Sequence, residues 1–428
     1  MTTFRAASER DIKRRTPTRL ERAGQRIVRS TLSRITHGSL TVQDGEDTTV
    51  AGDRKRGPHV TVRIQDPVFY KRVLIEGTAG AAESYIDGEW TCDDLAGLFE
   101  LLLINRDALE STQSALSRTT ARIAGVLNTV RRNSRRGSTR NIRAHYDLSN
   151  EFFALWLDPS MLYSAAYFEH ADMSLEDAQL AKVDRCCSKL DLAPSDRLLE
   201  IGTGWGGAAI RAAEHFGCRV VTTTISDQQF QLATARVRER GLQDRVSVVR
   251  LDYRDLEREY GRGSFNKILS IEMIEAVGHE YLPRYFQTIS RMLTIDGLAV
   301  IQGIWIRDQR YDAARRTVDF LKRRIFPGSC LLGLTAVSRA VRDNTDLSLI
   351  HMDDMAPHYV RTLQSWNRAF HARVNEIRSL GFDDRFIRMW RYYFEYCEGA
   401  FRARHCGDYQ FVLAKPLARP RINSCEHA

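Results

Sequence analysis

From residue 197 onward, apolar residues fall in short runs separated by stretches in which they recur every third or fourth position. The runs are RLLEIG (197–202), RVVTTTI (219–225), VSVVRL (246–251), KILSI (267–271) and GLAVIQGI (297–304). Between them lie a helix from about residue 205, DQQFQLATARVRERG (227–241) and RYFQTISRML (284–293). Short apolar strands alternating with helices predict an α/β fold with a parallel, doubly wound sheet. DLSLIHMDD (346–354) and DYQFVLAKP (408–416) add late edge strands, with two aromatic helices between them at 359–377 and 382–403.

The first part of the chain has a different rhythm. Residues 1–30 read as helical or disordered, and LTVQDG (40–45), HVTVRIQD (59–66) and VLIEGTAG (73–80) read as short strands with turns. GAAESYIDGEWTCDDLAGLFELLLINR (80–106) passes from a turn into an amphipathic helix. This predicts a smaller N-terminal α+β domain. A cationic linker, VRRNSRRGSTRNIR (130–143), sets the domain boundary at 126–142. Beyond it, HYDLSNEFFALWLD (145–158) and LEDAQLAKVDRCCSKL (175–190) have helical spacing, broken at Pro159.

Composition is ordinary for a globular protein, with 43% hydrophobic and 27% charged residues among 428. No apolar stretch is long enough for a transmembrane helix, and the arginine-rich start lacks the apolar core of a secretory signal. The eight cysteines form no C-x-x-C pair, which suits free thiols in a reducing cytoplasm and no metal site. Net charge is +9. In RRTVDFLKRRIF (315–326), Phe320, Leu321, Ile325 and Phe326 alternate with cations, a pattern suited to an anionic membrane surface. Charge alone would also suit nucleic acid, but no nucleic-acid module is present, so no nucleic-acid partner is expected.

The chemistry starts at EIGTGWGG (200–207). A glycine-rich turn after the first strand of such a sheet lies at its ligand-binding edge. Gly202, Gly204, Gly206 and Gly207 let backbone amides approach a ligand around Thr203 and Trp205. The spacing is not that of a P-loop, and the match to a dinucleotide fingerprint fails at the third glycine. Glu200 would repel a pyrophosphate, yet it could meet a cationic aminoacyl group directly or through water. S-adenosylmethionine carries such a group and no phosphate. Thr224, Ser226 and Gln229 after the second strand could bind a ribose, and Asp252 and Tyr253 after the third could flank an adenine. Each alone suits a helix cap or a packed aromatic; as a set they favour a class I methyltransferase.

The chain resembles the cyclopropane-fatty-acyl-phospholipid synthases and mycolic-acid methyltransferases from about residue 60 to 416. The resemblance rests on FYKRVLIEGTAGAAESYIDGEW, HYDLSNEFFALWLDPSMLYSAAYF, LLEIGTGWGGAAI, TTTISDQQ, SIEMIEAVG, RRIFPGSCL, HYVRTLQSW and CEGAFRAR. It implies a Rossmann-like class I methyltransferase at 143–416, a lipid- or membrane-associated domain at 1–125 and a tail at 417–428. It also implies methyl transfer from S-adenosylmethionine to a double bond in an unsaturated acyl chain of membrane phospholipid. The enzyme would then work from the cytoplasm at the inner face of the membrane, with a homodimer left open. By motif, Tyr163, Ser164, Tyr253 and Arg254 join the cofactor contacts. Glu275 and Tyr359 match residues around a bicarbonate that takes the proton. Cys397 matches a cysteine given a catalytic part in the family, although no step needs a thiolate, and an inert buried cysteine is the preferred reading.

The chain also departs from the family. Ala165 stands for a cysteine, Gln302 for a histidine that partners the bicarbonate, Glu272 for a glycine and Ala276 for a histidine. A carboxylate at 272 and a bound oxyanion would repel each other. Glu272 is therefore expected to take over the role of bicarbonate as base or cation stabiliser, and the product need not be a cyclopropane. A methylene, methyl-branched or furan-type chain is the alternative.

Overall fold

The computed structural model describes residues 15–110 and 149–420, which belong to two compact units, Met1–Ala121 and Arg122–Ala428. The basic linker and residues 421–428 of the tail lie outside the described residues.

The first unit holds a four-stranded sheet in the order β2-β1-β3-β4: β1 (Ser39–Asp44), β2 (Asp47–Gly52), β3 (His59–Ile64) and β4 (Trp90–Cys92). Helix α1 (Arg19–Leu32) begins in a capping box between Thr18 and Glu21. VLIEGTAG is not a strand: it ends α2 (Val68–Glu76) and opens α3 (Thr78–Ile86), with the break at Gly77, φ 62°. The run Val73–Ile75 is apolar because it continues a helix begun after Pro67, and so short a run cannot be told from a strand by periodicity. Strand β2 escaped the hydrophobic pattern because most of its residues are exposed. Helix α4 (Leu95–Ile104), capped by Asp94, is apolar around nearly its whole circumference rather than amphipathic. A short α5 (Arg106–Glu110) follows.

The second unit opens with α6 (Asn150–Ala154) and α7 (Leu175–Lys189). The alternating elements follow as β5 (Arg197–Ile201), α8 (Gly207–Phe216), β6 (Arg219–Thr224), α9 (Asp227–Glu239), β7 (Val246–Arg250), α10 (Leu256–Tyr260), β8 (Phe265–Ile271), α11 (Leu282–Met292) and β9 (Leu293–Ile306). Then come α12 (Asp308–Arg316), α13 (Leu334–Asn344), β10 (Ser348–Asp354), α14 (Ala356–Ala372), α15 (Val374–Ser379), α16 (Asp384–Arg402) and β11 (Cys406–Ala414). The strands form one sheet in the order β10-β11-β9-β8-β5-β6-β7, in which only β11 runs against the others.

Successive residues of β5 feed opposite cores. Leu199 and Ile201 pack with α11 and α13, whereas Leu198 packs with α7 and α8. Burial on both faces explains why these strands read as continuous apolar runs. The chain leaves β7 and returns beside β5 as β8, so the switch point of the topology lies between the ends of β5 and β8, where such sheets bind ligands.

RRTVDFLKRRIF corrects one expectation. Phe320 and Ile325 are buried; Phe320 packs on Tyr392 and Phe326 on Tyr393 and Tyr163. Lys322 is also buried, its Nζ donating to the carbonyls of Ala314 and Thr317. Phe320 and Ile325 thus fill the interior and are not available to a membrane, Leu321 and Phe326 are half-buried, and Arg316, Arg323 and Arg324 stay exposed.

Candidate active site

The turn after β5 holds Gly202, Gly204 and Gly206 at φ 105°, 51° and 87°, a backbone region costly for other residues. Gly207 is required by packing, since a Cβ there would sit 2.6 Å from the Ser160 carbonyl oxygen. At Gly204 a Cβ would meet nothing within 4 Å, so the turn faces open space at that point. Thr203 is buried beside Thr222, their hydroxyls 2.7 Å apart. Trp205 anchors the turn: its Nε1 donates to Asn150 Oδ1 at 2.8 Å, and its ring packs on Phe153.

Glu200 is buried and accepts the Thr222 hydroxyl at 2.5 Å. Burial pushes its carboxyl up to about 8, against the pull of Thr222 and Lys182. A carboxylate desolvated to this degree favours a cationic ligand over an anionic one. Together with an open glycine turn at the switch point, it fits the amino end of S-adenosylmethionine.

The other expected contacts lie along the same edge. The Thr224 hydroxyl donates to Gln229 Oε1 at 2.8 Å, and Ser226 caps α9 by accepting from Gln229 N. Ser226 thus has the helix-cap role that competes with ligand binding, and all three side chains are buried. Asp252 accepts from Arg254 Nε at 2.8 Å and pairs with its guanidinium, while the Tyr253 ring rests on Tyr285. The Tyr163 hydroxyl donates to the Tyr393 hydroxyl at 2.9 Å, and Ser164 Oγ accepts from Lys182 Nζ at 2.5 Å.

The acidic part of the site gathers around Glu272, the residue just past β8. Its backbone lies in the left-handed region at φ 46°, which costs a non-glycine residue about 1–2 kcal/mol. Its carboxylate is held at both oxygens. Oε1 accepts from Ala165 N at 2.7 Å and Gln302 Nε2 at 2.9 Å, and Oε2 accepts from the Tyr359 hydroxyl at 2.7 Å. Burial raises the Glu272 carboxyl, and Tyr359, the Ala165 amide, Lys182 and Gln302 oppose the rise.

Glu275 stands one turn further on. Its Oε1 accepts from Ile304 N at 2.5 Å, and its Oε2 is buried without a partner. Burial, then the charge of Glu272, pushes it up to about 8. Cys397 lies on α16, where burial pushes its thiol well up beside Cys406 and Asp319; an inert cysteine fits that setting. Ala276 is exposed.

Several members of the cluster escaped sequence reasoning. Asp408 on β11 is fully buried, takes Gln302 Nε2 on Oδ2 at 2.8 Å and leaves Oδ1 unpartnered. Burial, then the charges of Glu272 and Glu275, raises its carboxyl. Lys182 on α7 is fully buried, its pKa lowered by burial against the charges of Glu272 and Asp408. Gln410 donates its Nε2 to Gln302 Oε1 at 3.0 Å. Among the described residues no cluster suits a metal ion.

Several known proteins resemble this chain. The tuberculostearic acid methyltransferase UfaA1 of Mycobacterium tuberculosis is 33% identical over 401 residues, covering 91% of this chain and 90% of that protein. The cyclopropane-fatty-acyl-phospholipid synthase of Escherichia coli K12 is 36% identical over 356 residues, covering 83% and 87%. The mycolic acid cyclopropane synthase CmaA1, solved in complex with SAH and CTAB, superposes with a TM-score of 0.59 at 29% identity, over 65% of this chain and 98% of that one. The mycolic acid cyclopropane synthetase family model matches residues 133–411. The chain belongs to that family, and it is an S-adenosylmethionine-dependent methyltransferase.

Proposed function

We propose that the protein methylates a double bond in an unsaturated acyl chain of membrane phospholipid, and that Glu272 removes the proton in place of bicarbonate. The observation that carries this reading is the seating of Glu272: both carboxylate oxygens are occupied by donors from Ala165, Gln302 and Tyr359. Donors so placed favour the ionised form against the desolvation of the pocket. A carboxylate so held also repels a second anion at close range.

The cofactor supplies an electrophilic methyl group, which the π electrons of the alkene take, leaving a carbocation on the acyl chain. The Tyr359 ring lies 4.4 Å from that of Phe401 at a tilt of 33° and edge-on to Trp366. These aromatic faces offer cation–π stabilisation. Glu272 accepts the proton from the transferred methyl, and the carbon that carries the cation at that moment decides the product. Loss from the transferred methyl with bonding to the cationic carbon closes a cyclopropane. A hydride shift from the methylated carbon to its cationic neighbour moves the cation onto the methylated carbon, and loss of a methyl proton then leaves a methylene branch. The likeness to a tuberculostearic acid methyltransferase along most of both chains supports the methylene branch.

Glu272→Gly, assayed with and without bicarbonate and read by mass spectrometry of the lipids, tests the proposal. Activity is expected to be lost without bicarbonate and partly regained with it. Undiminished activity of Glu272→Gly in bicarbonate-free buffer would sink the idea. Docking to anionic headgroups through Arg316, Arg323 and Arg324 belongs to the same reading. It predicts liposome co-sedimentation that weakens as salt is raised.

A further inference from the structure

The amide of Gln302 touches two carboxylates, and its orientation decides whether it supports or repels them. An isolated glutamine could present either its nitrogen or its oxygen. Here the choice is made by residues well away from the reacting carbon. Strand register places Ile271, Gln302, Gln410 and Asp353 side by side across β8, β9, β11 and β10. Lys189, the last residue of α7, lies over this row with its Nζ 2.6 Å from Gln410 Oε1 and 2.6 Å from Asp353 Oδ2. An ammonium group only donates. Gln410 must therefore turn its oxygen to Lys189 and its Nε2 to Gln302 Oε1, 3.0 Å away. Gln302 is left with its Nε2 pointing at Glu272 Oε1 and Asp408 Oδ2.

We propose that Lys189 and Gln410 are positioning residues that set the polarity of Gln302 and thereby hold Glu272 as a hydrogen-bond acceptor. The chain of donors runs one way, from Lys189 through Gln410 and Gln302 to Glu272. Asp353 keeps Lys189 in place; burial alone would raise its carboxyl, but Lys189, His351 and Arg185 hold it below the usual carboxylate range. Without Lys189, Gln410 is free to turn over and present its oxygen to Gln302 Oε1, adding repulsion that loosens the Gln302 donor to Glu272.

This inference rests on Glu272 being the base. The titratable groups facing Glu272 are Tyr359 from α14, Lys182 from α7, Asp408 from β11 and Glu275 from the following turn. All of them remain in a Gln410 variant, and a neutral replacement there keeps the Lys189 charge as well, so its pH profile reports on the relay. Loss of the Gln302 donor raises the Glu272 pKa, so its base form appears at higher pH.

The test is the pH profile of kcat in the full-length enzyme with liposomal substrate. Lys189→Met is expected to lower kcat about tenfold and move the acid limb up by about one pH unit, with KM for S-adenosylmethionine unchanged. Lys189→Arg restores both, because guanidinium also only donates. Gln410→Leu, which cannot donate to Gln302 and adds no charge, shifts the limb in the same direction. It decides the matter alone if Lys189→Met fails to fold. Glu272→Gln is run beside them. If it is inactive while Lys189→Met and Gln410→Leu keep the wild-type profile, the relay is wrong and the base assignment stands. If Glu272→Gln is fully active, the base assignment fails and takes the relay with it.

Discussion

Glu200 and Glu272 stand at the ends of neighbouring parallel strands, and they are held in opposite ways. Glu200 accepts the Thr222 hydroxyl and is pushed up to about 8 by burial. Glu272 takes donors on both oxygens from Ala165, Gln302 and Tyr359. A buried carboxylate with little hydrogen-bond support holds its proton until a cation arrives. One supported on both oxygens is kept ready as an acceptor. The first arrangement suits binding and the second suits proton transfer, although the residue type is the same.

The largest effect expected from this contrast is on the Glu272 side. Glu272→Gln keeps shape and removes the charge, and kcat should fall by about 10²–10⁴-fold while cofactor affinity stays unchanged. Glu200→Gln should do the reverse. Its cost falls on binding, about 1.5–3 kcal/mol for a lost hydrogen bond to a charged group, with kcat little altered. Titration calorimetry with S-adenosylmethionine separates the two. The sign with pH follows from the raised Glu200 pKa: the carboxylate form pairs with the cation, so wild-type affinity grows as pH rises through about 8. The Glu200→Gln variant should lack that growth. A wild-type affinity independent of pH would break the comparison.

A smaller effect sharpens it. Tyr359→Phe removes the donor to Glu272 Oε2 and leaves the other two in place. The carboxyl pKa then rises, and the acid limb of kcat should move up by about one pH unit, or ~1.4 kcal/mol. Rates measured across the acid limb check this. An unmoved limb would mean that Tyr359 serves the substrate and not the base.

The two glutamates were also unequally legible. Glu200 lies in a strand whose residues are buried on both faces, so RLLEIG and its glycine turn read directly from the pattern. Glu272 stood out only as a departure from a family motif. Its partners come from α7, β9, β11, α14 and the segment before α7, and none of these carries a local signal. Lys182, in LEDAQLAKVDRCC, reads as a solvated helical lysine; it is buried because Ser164 and the strand ends close over it. Asp408 opens an apolar strand, where an acidic residue reads as a turn, yet the register sets it opposite Ile304 at full burial. In the first unit VLIEGTAG failed for the opposite reason: its pattern was clear but too short to tell helix from strand.

The smallest effect concerns backbone and not charge. Glu272 at φ 46° and Gly204 at φ 51° share nearly the same left-handed conformation, one with a side chain and one without. At Gly204 an added Cβ would touch nothing within 4 Å, so Gly204→Ala meets conformational strain alone. That strain should cost about 1 kcal/mol, which for a unit of this size lowers Tm by about 2–4 °C. At Gly207 a Cβ would sit 2.6 Å from the Ser160 carbonyl oxygen, and Gly207→Ala should lower Tm further. Thermal melts of the two variants in the absence of cofactor measure the difference. If Gly204→Ala keeps its Tm within a few degrees but loses affinity for S-adenosylmethionine, the open face of the turn is where the ligand approaches. If it melts as early as Gly207→Ala, the turn is packed on that face, and the glycine there serves the fold.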